Sequence, residues 1–451
     1  MAKIFRKSVI RRMRVALLSV CAWFWAMGTG WATAFLYVAP DGNDAHPGTM
    51  ERPFATLHKA RDAVRALKRE GLPEGGATVW LRGGWYFLES TLVLTPEDSG
   101  EKGKPIVYAA YPGERPVLSG GRIITGWRRF KGERRDVTEA SQGNLWVADV
   151  PKGWRFHSLC CDGMRLTRAQ RPNSENAFDK SLPNIVKWGP VDPKGQVLTF
   201  PDGALDNVPG NGDVEVWLPI NNWCFQLAVL RDANPTSNTA RRCSKMPAYH
   251  TPRQGGYGYF GFPFRIENTL VCLDRAGEWC VDSAEGKVYF WPPGGTMEGA
   301  ETIASNLVNL VRLEGRDDGE KAWVRYVEFR GLAFRHGDRL PEDEWPSDWV
   351  MRNFENPDAA IFMRGVEHCA VENCAITDVG AYAVALDRHA VANRIIGNEL
   401  GWLGSGGIQL YGYGPGTRDE NRENVVERNY IHHTGRAGYL HAGAVILFNS
   451  G

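Results

Sequence analysis

The sequence of 451 residues is poor in cysteine, with nine, and beyond residue 31 it has no run of 18 uninterrupted apolar residues. Nothing after that point is long enough to span a bilayer as a helix. No Cys-x-x-Cys pair occurs, which argues against a structural zinc site, and eight cysteines beyond Ala34 are too sparse for a disulfide scaffold. Bridges between Cys272 and Cys280 or Cys224 and Cys243 suit their proximity, but spacing leaves the pairing open. A phosphate loop, a GxSxG elbow and an HExxH helix are all missing. Gly256 to Gly261 matches GxGxxG, yet Phe262-Pro263-Phe264 follows instead of a helix, so no dinucleotide site is expected. An excess of either charge is lacking too, with 53 basic and 52 acidic residues. Six of the basic groups, and no acid, lie in the first 34 residues, leaving 47 basic against 52 acidic in the body. A mildly acidic body offers no broad attraction for nucleic acid or anionic lipid.

What is present is turn-rich and aromatic. Gly numbers 51, and the 17 Trp, 14 Tyr and 19 Phe accompany 43% apolar and 23% charged residues, which excludes disorder and a coiled coil. The first 34 residues read as an export signal: a basic stretch from Lys3 to Arg14, an apolar one from Val15 to Trp31, then Ala32-Thr33-Ala34 as cleavage site. An uncleaved anchor is the other reading, and both put the body outside the cytosol, secreted or periplasmic. Phe35-Leu36-Tyr37-Val38 then reads as a strand, and the acidic turn Asp41-Gly42-Asn43-Asp44 as Asx-turn chemistry rather than a calcium loop. Leu57, Ala60, Val64 and Leu67 recur at helical spacing before Gly71 and Pro73, predicting one amphipathic helix. Short β-runs follow at Val79, Leu92 and Ile106, and the rhythm turns irregular from Trp127 to Leu313.

The last third repeats. Ile376-Thr377-Asp378-Val379-Gly380, Leu400-Gly401-Trp402-Leu403-Gly404 and Ile431-His432-His433-Thr434-Gly435 share one pattern, each preceded two residues earlier by Cys374, Asn398 or Asn429. A second pattern starts at Ile361, Val384 and Ile408, 23 and 24 residues apart, and again at Val445. Units this short cannot bury a face alone, and stacking them gives a parallel β-solenoid whose Asn columns form amide ladders. The expected architecture is all-β: a right-handed parallel β-helix of the pectate-lyase type with an N-terminal capping helix and an inserted β-sandwich-like module. Its divisions are a signal peptide over 1–34, N-terminal rungs and helix over 35–126, the inserted module over 127–315 and further rungs over 316–451. The chain stops at Gly451 just after a rung strand without a cap, which reads as a fragment.

Tyr37-Val38-Ala39-Pro40-Asp41-Gly42-Asn43-Asp44 with Pro53-Phe54-Ala55-Thr56-Leu57, Val79-Trp80-Leu81-Arg82-Gly83-Gly84, Ser119-Gly120-Gly121 and Phe329-Arg330-Gly331-Leu332 resemble bacterial right-handed β-helix proteins. The likeness is nearest to glycoside hydrolase family 141, which implies hydrolysis of plant or microbial polysaccharides, fucosidase and xylanase activity included. Related rungs often read His-x-His-Asp before the Gly, whereas Trp402 and His433 stand there in this chain. If the aspartates at those places carry out catalysis in relatives, this chain lacks them.

Strand parity sends Ile361, Met363, Val384, Leu386, Ile408, Leu410, Val445 and Leu447 inward, leaving Arg364, Asp387 and Tyr411 in one outward row on the solvent face, with Phe362, Ala385 and Gln409 beside it. The spacing from first to second pattern is eight residues in two rungs but 14 from Ile431 to Val445, and 27 separate Phe334 from Ile361. Loops over 337–358 and 436–441 therefore stand at one corner, with a polar excursion over 412–423 on the other edge, walling a groove. Glycoside hydrolysis requires two carboxyl groups flanking the bond. The catalytic candidates are Asp387 by strand parity, Asp338 by loop placement and Asp378 by its turn, with His433 beside His432. A plain surface or turn role is the alternative for each. Arg364, Gln409, Tyr411, Trp345, Trp349 and His441 are assigned to substrate binding, the Trp faces suiting pyranose rings. No metal or other cofactor is expected, except that calcium belongs to the lyase alternative. Arg165, Arg168 and Arg171 cluster at a domain junction, where salt bridging and sugar-acid binding are both open. A monomeric polysaccharide-degrading glycosidase is the leading reading; a polysaccharide lyase using Arg364, or a non-catalytic carbohydrate-binding surface protein, are the others.

Overall fold

The computed structural model describes residues 33–132, 134–173, 187–188, 197–221, 224–243, 264–340, 358–414, 418–436 and 443–448. The export segment, Trp345, Trp349 and His441 lie outside them. Three parallel sheets wind through the described chain in the repeating order A, B, C. Sheet A stacks Ala34–Val38, Ala77–Leu81, Ile106–Ala110, Val327–Arg330, Ala370–Glu372, Arg394–Ile396 and Val425–Glu427. Sheet B stacks Gly84–Phe87, Pro116–Ser119, Ala333–Arg335, Ala375–Val379, Glu399–Leu403 and Tyr430–His432. Sheet C stacks Leu92–Leu94, Val311–Glu314, Ala359–Glu367, Tyr382–Val391, Ile408–Tyr411 and Val445–Phe448.

Alternation explains the core. Ile361, Val384 and Ile408 pair in register on sheet C, and with Met363, Leu386 and Leu410 they face inward and are buried. They meet Ile376 and Leu400 of sheet B and Val371 and Ile395 of sheet A in one apolar column. Val445 and Leu447 occupy the same inward places but are exposed, because no described strand stacks beyond them. The helix Leu57–Glu70 begins at Thr56, whose hydroxyl accepts from the Lys59 amide, and ends at Gly71. Its face of Leu57, Ala60 and Val64 joins the solenoid core against Ala34–Val38 and Leu92–Leu94, the first strands of two sheets. The Asp44 carboxylate is used within the protein, accepting from the amides of Ala55 and Thr56 and from the Thr56 hydroxyl.

The second coil is interrupted between its sheet B and sheet C strands. Residues 121–305 leave there and form three further sheets, paired antiparallel except between Thr167–Arg168 and Glu278–Asp282. Gly121–Ile124 and Thr302–Ser305 run antiparallel to each other as the stem of this module. The solenoid closes over the gap: Ile106–Ala110 pairs with Val327–Arg330 and Pro116–Ser119 with Ala333–Arg335. The module starts and ends earlier than the 127–315 read from sequence: Gly121–Ile124 is its first stem strand, and Val311–Glu314 is a solenoid strand set between Leu92–Leu94 and Ala359–Glu367. Cys272 and Cys280 are buried free thiols, so the expected bridge between them is not formed, and the Cys224–Cys243 alternative lies outside the described side chains.

Two side-chain ladders run along the turns. Asn398 accepts from the Cys374 amide at 2.9 Å and donates to Val371 O at 2.9 Å and to Asn429 Oδ1 at 2.9 Å. Asn393 repeats this between Cys369 and Asn424. One coil earlier the thiols of Cys369 and Cys374 take the amide places and donate to carbonyls. Replacing Asn398 by Ala would leave the Cys374 amide and the Val371 carbonyl unpaired in a buried turn. At about 1–3 kcal/mol per orphaned group, Asn398→Ala is expected to lower unfolding free energy by about 2–4 kcal/mol in urea titrations. A loss under ~1 kcal/mol would show the ladder is not a stabilising element.

Candidate functional site

The inserted module and the connection from Arg335 to Ala359 leave the solenoid at the corner between sheets B and C, and a cavity of about 910 Å³ lies there, between the module and the ends of the sheet B strands. Local backbone rules build both walls. On the module side, Asp162 and Gly163 have φ of 49° and 78°, the mirror-image turn that suits a tight hairpin. It joins Leu159–Cys161 to Met164–Arg165 and delivers Arg165 to the cavity. On the solenoid side, each described coil of sheet B from Ala333–Arg335 onward exits through a left-handed residue: His336 at 58°, Asp378 at 56°, Trp402 at 55° and His433 at 49°. The column turns Asp378 and Trp402 into the cavity wall.

Beneath the cavity a buried charge cluster joins the two walls. Glu215, on the module strand Asn211–Asn221, is paired with Arg168 and, at 2.6 Å, with Arg339 from the solenoid. His157 bridges Glu215 at 3.3 Å and Asp338 at 3.1 Å, and the Arg339 amide donates to Asp338 at 2.9 Å. All five side chains are at most one-tenth exposed. Burial alone would raise both carboxylates. Arg168, Arg339 and His157 outweigh it and hold Glu215 well below its usual range, and His157 with the Arg339 amide lowers Asp338.

The cavity is lined by Asp378, which takes Arg335 at 3.0 and 2.6 Å, by Glu267, which takes Arg265 at 2.7 Å, and by the exposed Glu399. Glu267 lies directly opposite Glu215 in the antiparallel register, with Arg168 between the two carboxylates. Trp217 and Trp402 are the aromatic walls: the Arg265 guanidinium sits 3.9 Å from the Trp217 ring, and Trp402 stacks on His433 at 4.0 Å. Burial pushes Arg165 below the usual guanidinium range. His336, beside Arg335, is buried with its Nδ1 3.0 Å from the Ser119 hydroxyl, and burial, reinforced by Arg335, lowers it to about 4. Among the described residues no cluster of three or more His, Cys, Asp or Glu is placed to hold a metal ion.

The sequence candidates divide between two faces. Asp378 lines the cavity, Asp338 lies under it, and His433 backs Trp402 with its Nδ1 2.7 Å from that of His432. Asp387, Arg364, Gln409 and Tyr411 are on the outer face of sheet C. The row Arg364, Asp387, Tyr411 is in register as expected, and Arg364 is ion-paired with Asp387. It does not face solvent: Asp387, Gln409 and Tyr411 are buried. Phe362, Ala385, Tyr382 and Ile446 form an apolar cluster on that same face, which cannot stand open to water. Glu215, Glu267, His157, Arg265, Arg335 and Arg339 had no sequence signal as site residues, because long-range pairing in the module and at its seam brings them together. The Arg165 and Arg168 cluster was visible, and the Asp162-Gly163 turn beside it was the readable clue to its placement.

Residues 36–146 match the family model described as Pel9A-like, right-handed β-helix region. The chain is 31% identical over 130 residues to the pectate lyase PEL9 of Emericella nidulans, covering 28% of this chain and 27% of that protein. It is 38% identical over 89 residues to the uncharacterized protein YwoF of Bacillus subtilis, covering 20% and 16%. The matched stretches thus span about a quarter and a sixth of these relatives' own length. A solved structure described as a glycoside hydrolase superimposes with a TM-score of 0.67 at 24% identity, over 86% of this chain and 69% of that one, and shares its fold. Among the described residues no helix is long and apolar enough to cross a membrane.

Two outcomes are expected of the buried cluster. Glu215→Gln would leave Arg168 and Arg339 in low dielectric without their carboxylate, and one-sided loss of a buried pair costs about 3–5 kcal/mol, measurable as a drop in denaturant midpoint. Stability is also expected to fall with acid in two stages. His336, neutral in the fold, loses stability as pH drops from about 6.5 toward its lowered value of about 4. Glu215 and Asp338 contribute above their unfolded values near ~4 and lose that contribution below them. His336→Asn, which keeps a residue tolerant of positive φ, should flatten the upper stage of a urea-midpoint series against pH and leave the lower stage. An unchanged upper slope would exclude His336 as its origin.

Proposed function

We propose that this protein is an exported, monomeric carbohydrate-active enzyme that hydrolyses glycosidic bonds of a polysaccharide bound in the cavity at the B–C corner. One observation carries the reading: a cavity of about 910 Å³ on a β-helix brings the carboxylates of Glu267, Asp378 and Glu399 together with Trp217 and Trp402. Hydrolysis of a glycoside uses one carboxyl group as proton donor and another as nucleophile or water-activating base. Asp378 and Glu267 come from opposite walls, solenoid and module, so a chain lying between them would have one on each side. Arg335 and Arg265 orient the two groups through their ion pairs. Trp402 offers an indole face to a pyranose ring. The family 141 resemblance and the shared fold with a glycoside hydrolase support this assignment.

A lyase is the second reading, favoured by the partial likeness to a pectate lyase and by Arg165, whose burial eases removal of its proton. The two separate by product, since hydrolysis yields saturated reducing ends and elimination an unsaturated sugar that absorbs ultraviolet light. The full chain should release saturated reducing ends from plant polysaccharides. Asp378→Asn and Glu267→Gln should each lower kcat at least ~100-fold while the thermal unfolding curve shows a folded protein. Full turnover in both variants removes this pair from catalysis, and unsaturated product assigns the lyase.

A further inference from the structure

The corner between sheets C and A carries a second cluster of charges, none of which lines the cavity. Strand Tyr382–Val391 bends there through a bulge: Asp387 pairs with Arg364 and Ala390 with Val366, so Gly365 opposes both Arg388 and His389, and Arg388 takes φ of 61°. A bulge re-aims the side chains beside it. His389 lies flat on Trp323, with ring centroids 4.0 Å apart and planes 13° from parallel, and is buried. Its Nε2 is 2.9 Å from the Glu367 carboxylate and its Nδ1 is 3.3 Å from that of Glu420. The groups around the ring come from four successive coils. Glu367 also takes Arg325 at 2.6 Å. Glu420 has Lys321 at 3.6 Å and Arg418 at 4.0 Å, and these two cations share Asp317, which accepts from the Tyr413 hydroxyl as well. Burial would raise Glu367, and the bonds from Arg325 and His389 outweigh it and lower it. An ionised carboxylate only accepts hydrogen bonds, so His389 makes both of its contacts only when both ring nitrogens carry hydrogen. A neutral ring has one N–H, and its other nitrogen turns a lone pair toward an oxygen that cannot donate. The imidazolium makes both bonds and gains from the negative face of the indole beneath it.

We propose that His389 is a proton-operated strap: as imidazolium it ties Glu420, and with it the short strand Asn421–Arg422, to Glu367 two coils earlier, and loss of the ring proton releases Glu420. The contact to Glu367 is the shorter one and lies at the end of a nine-residue strand, whereas Glu420 belongs to a connection, so Glu420 is the side that lets go. Asn421–Arg422 pairs with Ala390 and Val391, and the amides of Ala390 and Ala392 donate to Glu420 O at 2.8 Å and to Arg422 O at 3.1 Å. The strap therefore contributes in acid, where histidine carries two ring protons, and slackens in alkali. Its sign is opposite to that of His336 and of the Glu215 cluster, and it is independent of the reading proposed for the cavity.

Hydrogen exchange of the full chain, resolved to single amides and divided by the intrinsic rate at each pH, tests it. The Ala390 and Ala392 amides should be at least ~10-fold better protected at pH 5 than at pH 9. The Cys374 amide, bonded to Asn398 in the same coil, should change less than ~2-fold. His389→Gln is uncharged at both pH values and should hold the two reporter amides at one level of protection throughout. Glu420→Gln should also abolish the difference, because its amide can accept from the charged ring or donate to the neutral one. Glu420 is half-buried on a connection, so Glu420→Gln decides the matter if His389→Gln fails to fold. Equal protection at pH 5 and pH 9 in the unaltered chain, greater protection at pH 9, or a difference that survives in Glu420→Gln overturns the strap.

Discussion

The arrangement of this molecule depends on the buried contact of Glu215 with Arg168, Arg339 and His157. A β-helix needs nothing from its insertion to stay wound, since sheets A and B pair directly across the gap. An insertion of this size has three sheets of its own and its own apolar clusters. What sets one body against the other is a carboxylate from the module with one guanidinium from each side and a histidine that reaches Asp338 of the solenoid. Charges this deep contribute little net stability over apolar groups of the same shape, but they tolerate few alternative positions, because any slip leaves a bare charge in low dielectric. The cavity walls inherit their spacing from that contact.

The winding rule of the solenoid explains why the site is at one corner. Each coil runs A, B, C; a ladder of Cys374, Asn398 and Asn429 closes the turns between A and B, and one of Cys369, Asn393 and Asn424 closes those between C and A. The B–C corner has no such ladder in the second coil, where the module leaves, or after Ala333–Arg335, where residues 337–358 intervene. Left-handed exits at His336, Asp378, Trp402 and His433 keep the backbone turning while the connection lengthens. Two of those exits, Asp378 and Trp402, line the cavity facing the module.

Much of this was legible in the sequence. The spacing of 23 and 24 residues revealed coils, strand parity assigned the inward residues of sheet C, and Asn398 over Asn429 predicted a ladder that the structure contains. Sheet A was harder to see because its strands in the later coils are three residues long, as in Arg394–Ile396. The outward row of sheet C was placed in correct register but on the wrong side of the solvent boundary, although the apolar Phe362, Ala385 and Ile446 beside it were a readable sign of cover. The cavity itself was not legible. Its carboxylates come from Glu267 and Asp378, which are 111 positions apart and share no motif, and antiparallel register within the module has no counterpart in the solenoid repeat.

A net acidic body with a cationic cavity is not a contradiction. Electrostatic attraction across an aqueous surface is screened within about 8–10 Å, so the acidic groups on the exterior say little about a recess walled by protein. Inside such a recess low-dielectric walls focus the field, and the six guanidinium groups that line it count for more than a surface average. Burial lowers Arg165, and the carboxylates of Asp378 and Asp338 offset part of that effect. Buried polar atoms without a partner occur in the solenoid at Tyr108 Oη, in the Glu215 cluster at Arg168 Nε and beside the cavity at Arg165 Nη1, so unmet demand is spread through the molecule.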